Sequence, residues 1–150
     1  MKAPHTAEIV SSPAAAAAAP EPPPQARPRL LLAEDDRCLR KAARTALERR
    51  GWETLVACDG EEALAALAQG GVHLVLLDLI LPKVNGFEVL ERLRQNPATA
   101  QIPVIVLTNL GQFSEIQRAR HHGAAGYLIK GELNLSEMVA RVEAVLAERR

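Results

Sequence analysis

Four apolar segments of this chain each run into a residue with a reactive or metal-binding side chain. In chain order, the residues that follow these segments are Glu34 with Asp35 and Asp36, then Asp78, Thr108 and Lys130. In a parallel α/β sheet, ligands and catalytic groups collect at the carboxyl ends of the strands. We therefore expect carboxylates, a hydroxyl and an ammonium group to meet in one pocket. That combination suits a divalent cation and a phosphoryl group.

The carboxylates favour a magnesium site with a nucleophile beside it. Glu34 and Asp35 are adjacent, and a cation would relieve their mutual repulsion. Together with Asp78 they supply the hard oxygen ligands that Mg²⁺ (or Mn²⁺) prefers. Lys130 would neutralise phosphoryl oxygens, and the Thr108 hydroxyl would donate a hydrogen bond to them. A carboxylate can itself attack phosphorus, and Asp78 is the candidate acceptor because it stands alone at the end of an apolar, central strand.

Five strand–helix pairs must position these side chains. The apolar periodicity predicts strands at about 29–34, 53–57, 73–78, 102–108 and 126–130, and helices at about 37–50, 60–69, 86–95, 112–122 and 135–148. Asp59, Asn85 and Asn134 are N-cap residue types, each with a glutamate three positions later, as in a capping box. The alternation predicts an α/β fold: a doubly wound five-stranded parallel sheet with helices on both faces. No glycine-rich strand-to-helix turn is present, so a dinucleotide site is not expected.

Composition divides the chain into two parts. Residues 1–28 are rich in alanine and proline, and we predict that they form a disordered N-terminal extension because they cannot bury enough apolar surface to fold. Residues 29–150 are predicted to form a single domain.

Several function classes are disfavoured by composition. The 18 basic and 18 acidic side chains balance, and aromatic residues make up only 3%, so nucleic-acid binding is not expected. No run of about 18 apolar residues is present, so we expect no membrane span. Cys38 and Cys58 are isolated, which favours a reducing cytoplasmic location.

Residues 29–149 resemble the receiver domain of bacterial two-component response regulators, including the stand-alone single-domain kind. The motifs that carry the resemblance are Leu-Leu-Ala-Glu34-Asp35-Asp36, Leu-Leu-Asp78-Leu-Ile-Leu-Pro82-Lys-Val-Asn-Gly86, Val-Leu-Thr108-Asn109 and Gly126-Tyr127-Leu-Ile-Lys130. Their order and their positions at strand ends make the set specific, although any one of them alone is weak. The resemblance implies the flavodoxin-like strand order 2-1-3-4-5.

The resemblance also implies a role for each residue of the metal site. Asp35 would bind Mg²⁺ (or Mn²⁺) directly and Glu34 through a water molecule. Asp78 would be both the phosphoacceptor and a metal ligand, and Ile80 would offer its backbone carbonyl to the metal.

Two further residues correspond to the family's conformational switch. Thr108 matches the switch hydroxyl, and Tyr127 matches the aromatic residue that rotates inward when that hydroxyl moves.

Lys130 matches the phosphate-binding lysine. Gly131 follows it where the family usually has proline, and Asn109 stands where a small residue is usual. These departures bear on loop geometry and partner choice, and not on the phosphoacceptor.

The function implied is that of a cytoplasmic single-domain response regulator. A sensor histidine kinase or a histidine phosphotransfer protein would donate the phosphoryl group to Asp78, and the output would be contact with an unknown downstream protein. No enzymatic activity is expected beyond self-phosphorylation and slow autodephosphorylation. The resemblance places apolar Ile80 and Leu110 at the two positions that flank the approach of water, which predicts a long-lived phosphorylated state.

Two alternatives stay open at this stage. A pseudo-receiver would bind partners without phosphorylation, although the complete set of acceptor, acids, hydroxyl and lysine disfavours it. A haloacid-dehalogenase-type phosphatase also uses a nucleophilic aspartate at a strand end. That chemistry needs a second aspartate two residues later, where this chain has Ile80.

Overall fold

The computed structural model describes residues 27–109 and 113–148, so most of the predicted N-terminal extension and Leu110 lie outside the described residues. The strands are β1 (Arg29–Ala33), β2 (Glu53–Ala57), β3 (Leu74–Asp78), β4 (Val104–Thr108) and β5 (Gly126–Ile129). The helices are α1 (Arg37–Arg49), α2 (Gly60–Ala68), α3 (Gly86–Gln95), α4 (Phe113–His121) and α5 (Leu135–Glu148), with a 3₁₀ turn at Lys130–Glu132. Every strand and helix expected from the sequence is therefore present.

The five strands form one sheet in the order β2-β1-β3-β4-β5, and every neighbouring pair is parallel. This is the order that the family resemblance implies. All five residues of β3 are buried, as are all five of β4. Their continuous apolar sequences follow from this, because a central parallel strand is covered by helices on both faces.

The helices divide between the two faces of the sheet. Alternate strand residues point to opposite faces, so Leu31 and Leu77 lie with the buried residues of α2, α3 and α4. Leu30 and Leu76 lie with those of α1 and α5 on the other face. This arrangement confirms the doubly wound sheet with helices on both faces.

Two predicted strand ends lie just outside the sheet. The amide of Glu34 still donates to the carbonyl of Ala57 at 3.0 Å, but the chain then turns away to begin α1. Lys130 opens the 3₁₀ turn, and its carbonyl accepts from the amide of Leu133 at 3.2 Å. Both residues remain at the carboxyl edge, so these one-residue differences leave the expected site intact.

The predicted N-caps are confirmed. The side chain of Asp59 accepts from the amide of Glu62 at 2.8 Å, and that of Asn85 accepts from the amide of Glu88 at 3.1 Å. Asn134 likewise accepts from two amides in the first turn of α5. In a capping box the glutamate would also accept from the amide of the cap residue, but the contacts of Glu62 and Glu88 differ from that pattern.

The two glutamates behave differently. The carboxylate of Glu62 accepts from the amide of Cys58, one residue before the cap, whereas that of Glu88 pairs with Arg92 on the next turn of its helix.

Among the described helices, none is both long enough and apolar enough to cross a membrane.

Candidate functional site

Four adjacent strands carry the predicted site residues to one edge of the sheet. Ala33 pairs with Leu77 in register, so Glu34 and Asp78 leave β1 and β3 at the same level. Thr108, the last residue of β4, pairs with Ile129, the last residue of β5, and Lys130 follows directly. A parallel sheet therefore collects side chains from across the sequence at its carboxyl end.

Three carboxylates converge at this edge. Glu34, Asp35 and Asp78 each offer an oxygen atom, and these oxygens lie within 4.8 Å of one another. Glu34 and Asp78 are buried, whereas Asp35 is exposed. The cluster therefore has two fixed, buried carboxylates and one that faces solvent, and these are the three carboxylates that the sequence proposes as metal ligands.

Lys130 joins the two buried carboxylates. Its Nζ donates to Oε2 of Glu34 at 3.0 Å and to Oδ2 of Asp78 at 2.9 Å. Burial of the ammonium group opposes its charge, but the hydrogen bonds to Asp78 and Glu34, together with the negative charges of these groups, outweigh that effect and raise the pKa of Lys130. Lys130 is therefore a firmly charged cation within an acidic cluster.

Glu34 has one satisfied and one unsatisfied oxygen. Its Oε2 accepts from Lys130 and from the amide of Asp36 at 2.9 Å, whereas its buried Oε1 has no hydrogen-bond partner among the described residues. Burial raises the pKa of this carboxyl to about 7, and the nearby charge of Asp78 adds to the effect, although the Asp36 amide and Lys130 oppose it. An unpartnered oxygen beside two other carboxylates is a fitting ligand for a divalent cation.

Both oxygens of Asp78 are held in place. Oδ1 accepts from the amide of Ile80 at 2.9 Å and Oδ2 from Lys130. The side chain of Asp78 is therefore oriented by groups of the protein itself. Ile80 lies beside it, with 60% of its surface exposed.

The two predicted switch residues lie on neighbouring strands. Thr108 is buried at the end of β4. Tyr127 is half-buried and packs with the core on the face that α2, α3 and α4 cover. It pairs in register with Val106, two residues before Thr108. The structure therefore places Thr108 at the edge with the carboxylates and Tyr127 further back, under α4.

Gly131, which stands where the family usually has proline, follows an ordinary trans peptide bond. No cis peptide bond occurs among residues 27–109 and 113–148, so the bond between Lys130 and Gly131 is trans. This is expected, because a cis bond before a residue other than proline costs about 3 kcal/mol.

The sequence did not reveal how Asp36 and Gly86 support the site. Asp36 caps α1 by accepting from the amide of Leu39 at 3.0 Å, and its own amide holds Glu34. An aspartate directly before a predicted helix is a typical N-cap residue, so this role of Asp36 could have been predicted. Its position after two other acidic residues made it look like part of the metal site instead. Gly86 packs so closely behind the site that a Cβ there would lie 2.2 Å from the carbonyl oxygen of Asp78.

A third supporting residue is Arg40 on α1, whose guanidinium contacts the backbone of the acidic pair. The sequence shows only that Arg40 is one of several basic residues on this helix. No pattern in the sequence marks a contact of an arginine with main-chain carbonyls.

Comparisons with known proteins identify the family of this chain. The family model described as response regulator receiver domain matches residues 30–143. The chain is 41% identical over 119 residues to the DNA-binding dual master transcriptional regulator RpaA of Synechocystis sp., covering 79% of this chain and 49% of that protein. It is 45% identical over 120 residues to the transcriptional regulatory protein CpxR of Klebsiella pneumoniae, with the same coverage of 79% and 49%. The chain thus spans about half the length of these curated relatives.

Solved structures show the same fold. The receiver domain of the Francisella response regulator 1452 superposes with a TM-score of 0.76 at 27% identity, covering 83% of this chain and 100% of that one. A putative response regulator from Chloroflexus aurantiacus gives a TM-score of 0.76 at 31% identity, covering 81% and 98%. Family model, relatives and structures agree, and the chain belongs to the response regulator receiver domain family.

Proposed function

We propose that Asp78 is the phosphoacceptor of a two-component phosphorelay, supplied by a sensor histidine kinase or a histidine phosphotransfer protein. The observation that carries the proposal is the bridge from Lys130 to Asp78 and Glu34, at 2.9 and 3.0 Å, beside the unpartnered Oε1 of Glu34. An oriented nucleophile, a fixed cation and an unused metal ligand are the parts that phosphoryl transfer to a carboxylate needs.

Mg²⁺ (or Mn²⁺) would be held by the carboxylates of Glu34, Asp35 and Asp78 and by the backbone carbonyl of Ile80. With Glu34 ionised, three carboxylates and one ammonium leave two negative charges, which a divalent cation balances. When bound, the cation would neutralise the phosphoryl oxygens and the repulsion between the carboxylates.

The transfer itself uses the Asp78 carboxylate as nucleophile. One of its oxygens forms a bond to phosphorus while the bond from phosphorus to the donor's imidazole nitrogen breaks, and the electron pair returns to that nitrogen. Lys130 then has a new partner, because the phosphoryl group brings oxygens that can replace the carboxylate it contacts in the resting protein. The Thr108 hydroxyl, buried at the adjacent strand end, would donate to the same group.

The conformational output would follow from Thr108 and Tyr127. Movement of the hydroxyl toward the phosphoryl group would let the Tyr127 ring move inward and change the surface formed by α4, β5 and α5. A groove of about 520 Å³, lined in part by Tyr127, lies between α4 and α5 over β5. A downstream protein would read this surface.

Nucleic acid is not the proposed partner of this domain. RpaA and CpxR are named as transcriptional regulators, but this chain matches only about half of their length. Acidic and basic residues balance at 18 each, so no net positive field attracts a phosphate backbone.

Incubation with a small acyl phosphate and Mg²⁺, followed by intact mass measurement, tests the proposal. We expect one base-labile phosphoryl group on the wild type and none on Asp78→Asn. The matched control is Asp59→Asn, which alters another buried aspartate but keeps an N-cap residue type; it should be phosphorylated like the wild type. Turnover without an adduct would indicate a phosphatase, and inertness would indicate a pseudo-receiver.

A further inference from the structure

Arg40 lies on α1, and its side chain contacts the loop that carries Glu34 and Asp35. One nitrogen of its guanidinium donates to the carbonyl of Glu34 at 3.0 Å and to the carbonyl of Asp35 at 3.2 Å. The side chain is half-buried, one turn into the helix. The contact is therefore with the backbone that sets the direction of both carboxylates.

Asp36 supplies the remaining restraints on the same loop. Its amide donates to Oε2 of Glu34 at 2.9 Å, and its carboxylate accepts from the amide of Leu39 at 3.0 Å. Glu34 is thus fixed through its side chain and its carbonyl. Asp35 is exposed, so the direction of its carboxylate depends on the backbone that Arg40 contacts.

We propose that Arg40 is a positioning residue for the cation site. It would act through the carbonyls of Glu34 and Asp35, without touching the metal or the phosphoryl group. Groups that orient metal ligands commonly contribute 10- to 100-fold to metal affinity. The inference rests on the function proposed above and adds a residue that lies outside the motifs quoted in the sequence analysis.

The direction of the change in metal affinity distinguishes a positioning role of Arg40 from a purely electrostatic effect of its charge. A guanidinium close to a cation site repels the cation, so loss of the charge alone would tighten metal binding. Loss of the positioning contacts would weaken it. The two roles therefore predict opposite changes from the same substitution.

The test is a titration of the folded protein with Mn²⁺ in the absence of phosphodonor, with the free ion followed by electron paramagnetic resonance. We expect Arg40→Met to raise the Kd for Mn²⁺ about tenfold. The matched control is Arg44→Met on the next turn of α1, where the arginine pairs with exposed Glu48. It removes the same charge from the same helix and should leave the Kd within about twofold.

Arg40→Lys provides the conservative comparison, and remains informative if Arg40→Met does not fold. Lysine keeps the charge, but its side chain is one atom shorter than the path to the guanidinium nitrogen that contacts both carbonyls, so we expect it to recover only part of the affinity. Full recovery by lysine, unchanged or tighter binding in Arg40→Met, or an equal loss in Arg44→Met would overturn the inference.

Failure of the two proposals can be told apart. If the wild type takes up neither Mn²⁺ nor a phosphoryl group, the proposed function fails and the role of Arg40 fails with it. If the wild type does both and Arg40→Met binds Mn²⁺ equally well, only the positioning role fails. At saturating Mn²⁺ the phosphorylation rate of Arg40→Met should approach that of the wild type, because Asp78 and Lys130 are untouched.

Discussion

The guanidinium of Arg120 lies over the ring of Tyr127, with its central carbon 5.5 Å from the ring centroid. Arg118, on another side of α4, lies 4.2 Å from the ring centroid of Phe87 on α3. Among the described side chains of α4, only Ala119 is buried. Exposed cation–π contacts are worth about 0.5–1 kcal/mol each, so α4 is lightly held on the sheet. A helix held in this way suits a surface that changes on phosphorylation.

Arg120→Gln should speed phosphorylation. Loss of the cation would free the Tyr127 ring from its resting position, and about 0.5–1 kcal/mol corresponds to a two- to fivefold change in rate. Arg118→Gln is the control, since it removes the contact with Phe87 and not the contact with Tyr127. The rate of adduct formation from an acyl phosphate measures the effect. Equal acceleration in both variants would assign it to looser docking of α4 instead of to Tyr127.

Gly86→Ala should destabilise the domain by about 1–3 kcal/mol. A Cβ at this position would lie 2.2 Å from the carbonyl oxygen of Asp78 and 2.6 Å from the Cα of Leu79, and backbone atoms cannot move aside cheaply. Gly131→Ala is the control, because nothing lies within 4 Å of a Cβ there; its effect should stay within about 0.5 kcal/mol. Denaturant unfolding measures both. Equal stability of the two variants would show that the start of α3 can retreat from Asp78.

The meeting of Glu34 and Lys130 could be predicted from sequence, although 96 positions separate them. Each follows an apolar strand, and parallel strands bring their carboxyl ends to one edge. The contact of Arg120 with Tyr127 and the contact of Arg40 with two carbonyls could not be predicted. They depend on side-chain conformations that no residue spacing determines. The unpartnered oxygen of Glu34 was also hidden, because adjacent acids indicate repulsion but not which oxygen is satisfied.

Without divalent cations, the free energy of unfolding should fall as the pH rises through Glu34's titration. Burial raises the pKa of Glu34 from an ordinary 4.5 to about 7, so the folded protein holds this proton more tightly than the unfolded chain does. The resulting stabilisation is complete below pH 4.5 and is lost as the pH rises through 7. A shift of this size corresponds to up to about 3 kcal/mol.

Glu34→Gln should remove this part of the pH dependence, measured by denaturant unfolding at a series of pH values in chelator. Glu61→Gln, which alters an exposed glutamate, should retain the wild-type slope. Mg²⁺ should counteract the fall in the wild type, because the cation binds the ionised carboxylate. A wild-type slope in Glu34→Gln would mean that another group titrates in this range.

Loss of the phosphoryl group from Asp78 should be slow, because the side chain beside it cannot orient water. The amide of Ile80 donates to Oδ1 of Asp78, and its apolar side chain is 60% exposed, the one large apolar side chain so exposed within the described residues. Replacing Ile80 with Asn, together with Leu110→Glu outside the described residues, should speed decay of the adduct about tenfold, a barrier change of about 1.4 kcal/mol. Ile80→Val keeps an apolar group and should decay as slowly as the wild type. Autodephosphorylation followed over time by intact mass decides the matter, since equal decay in all variants would assign Ile80 to a partner-binding surface.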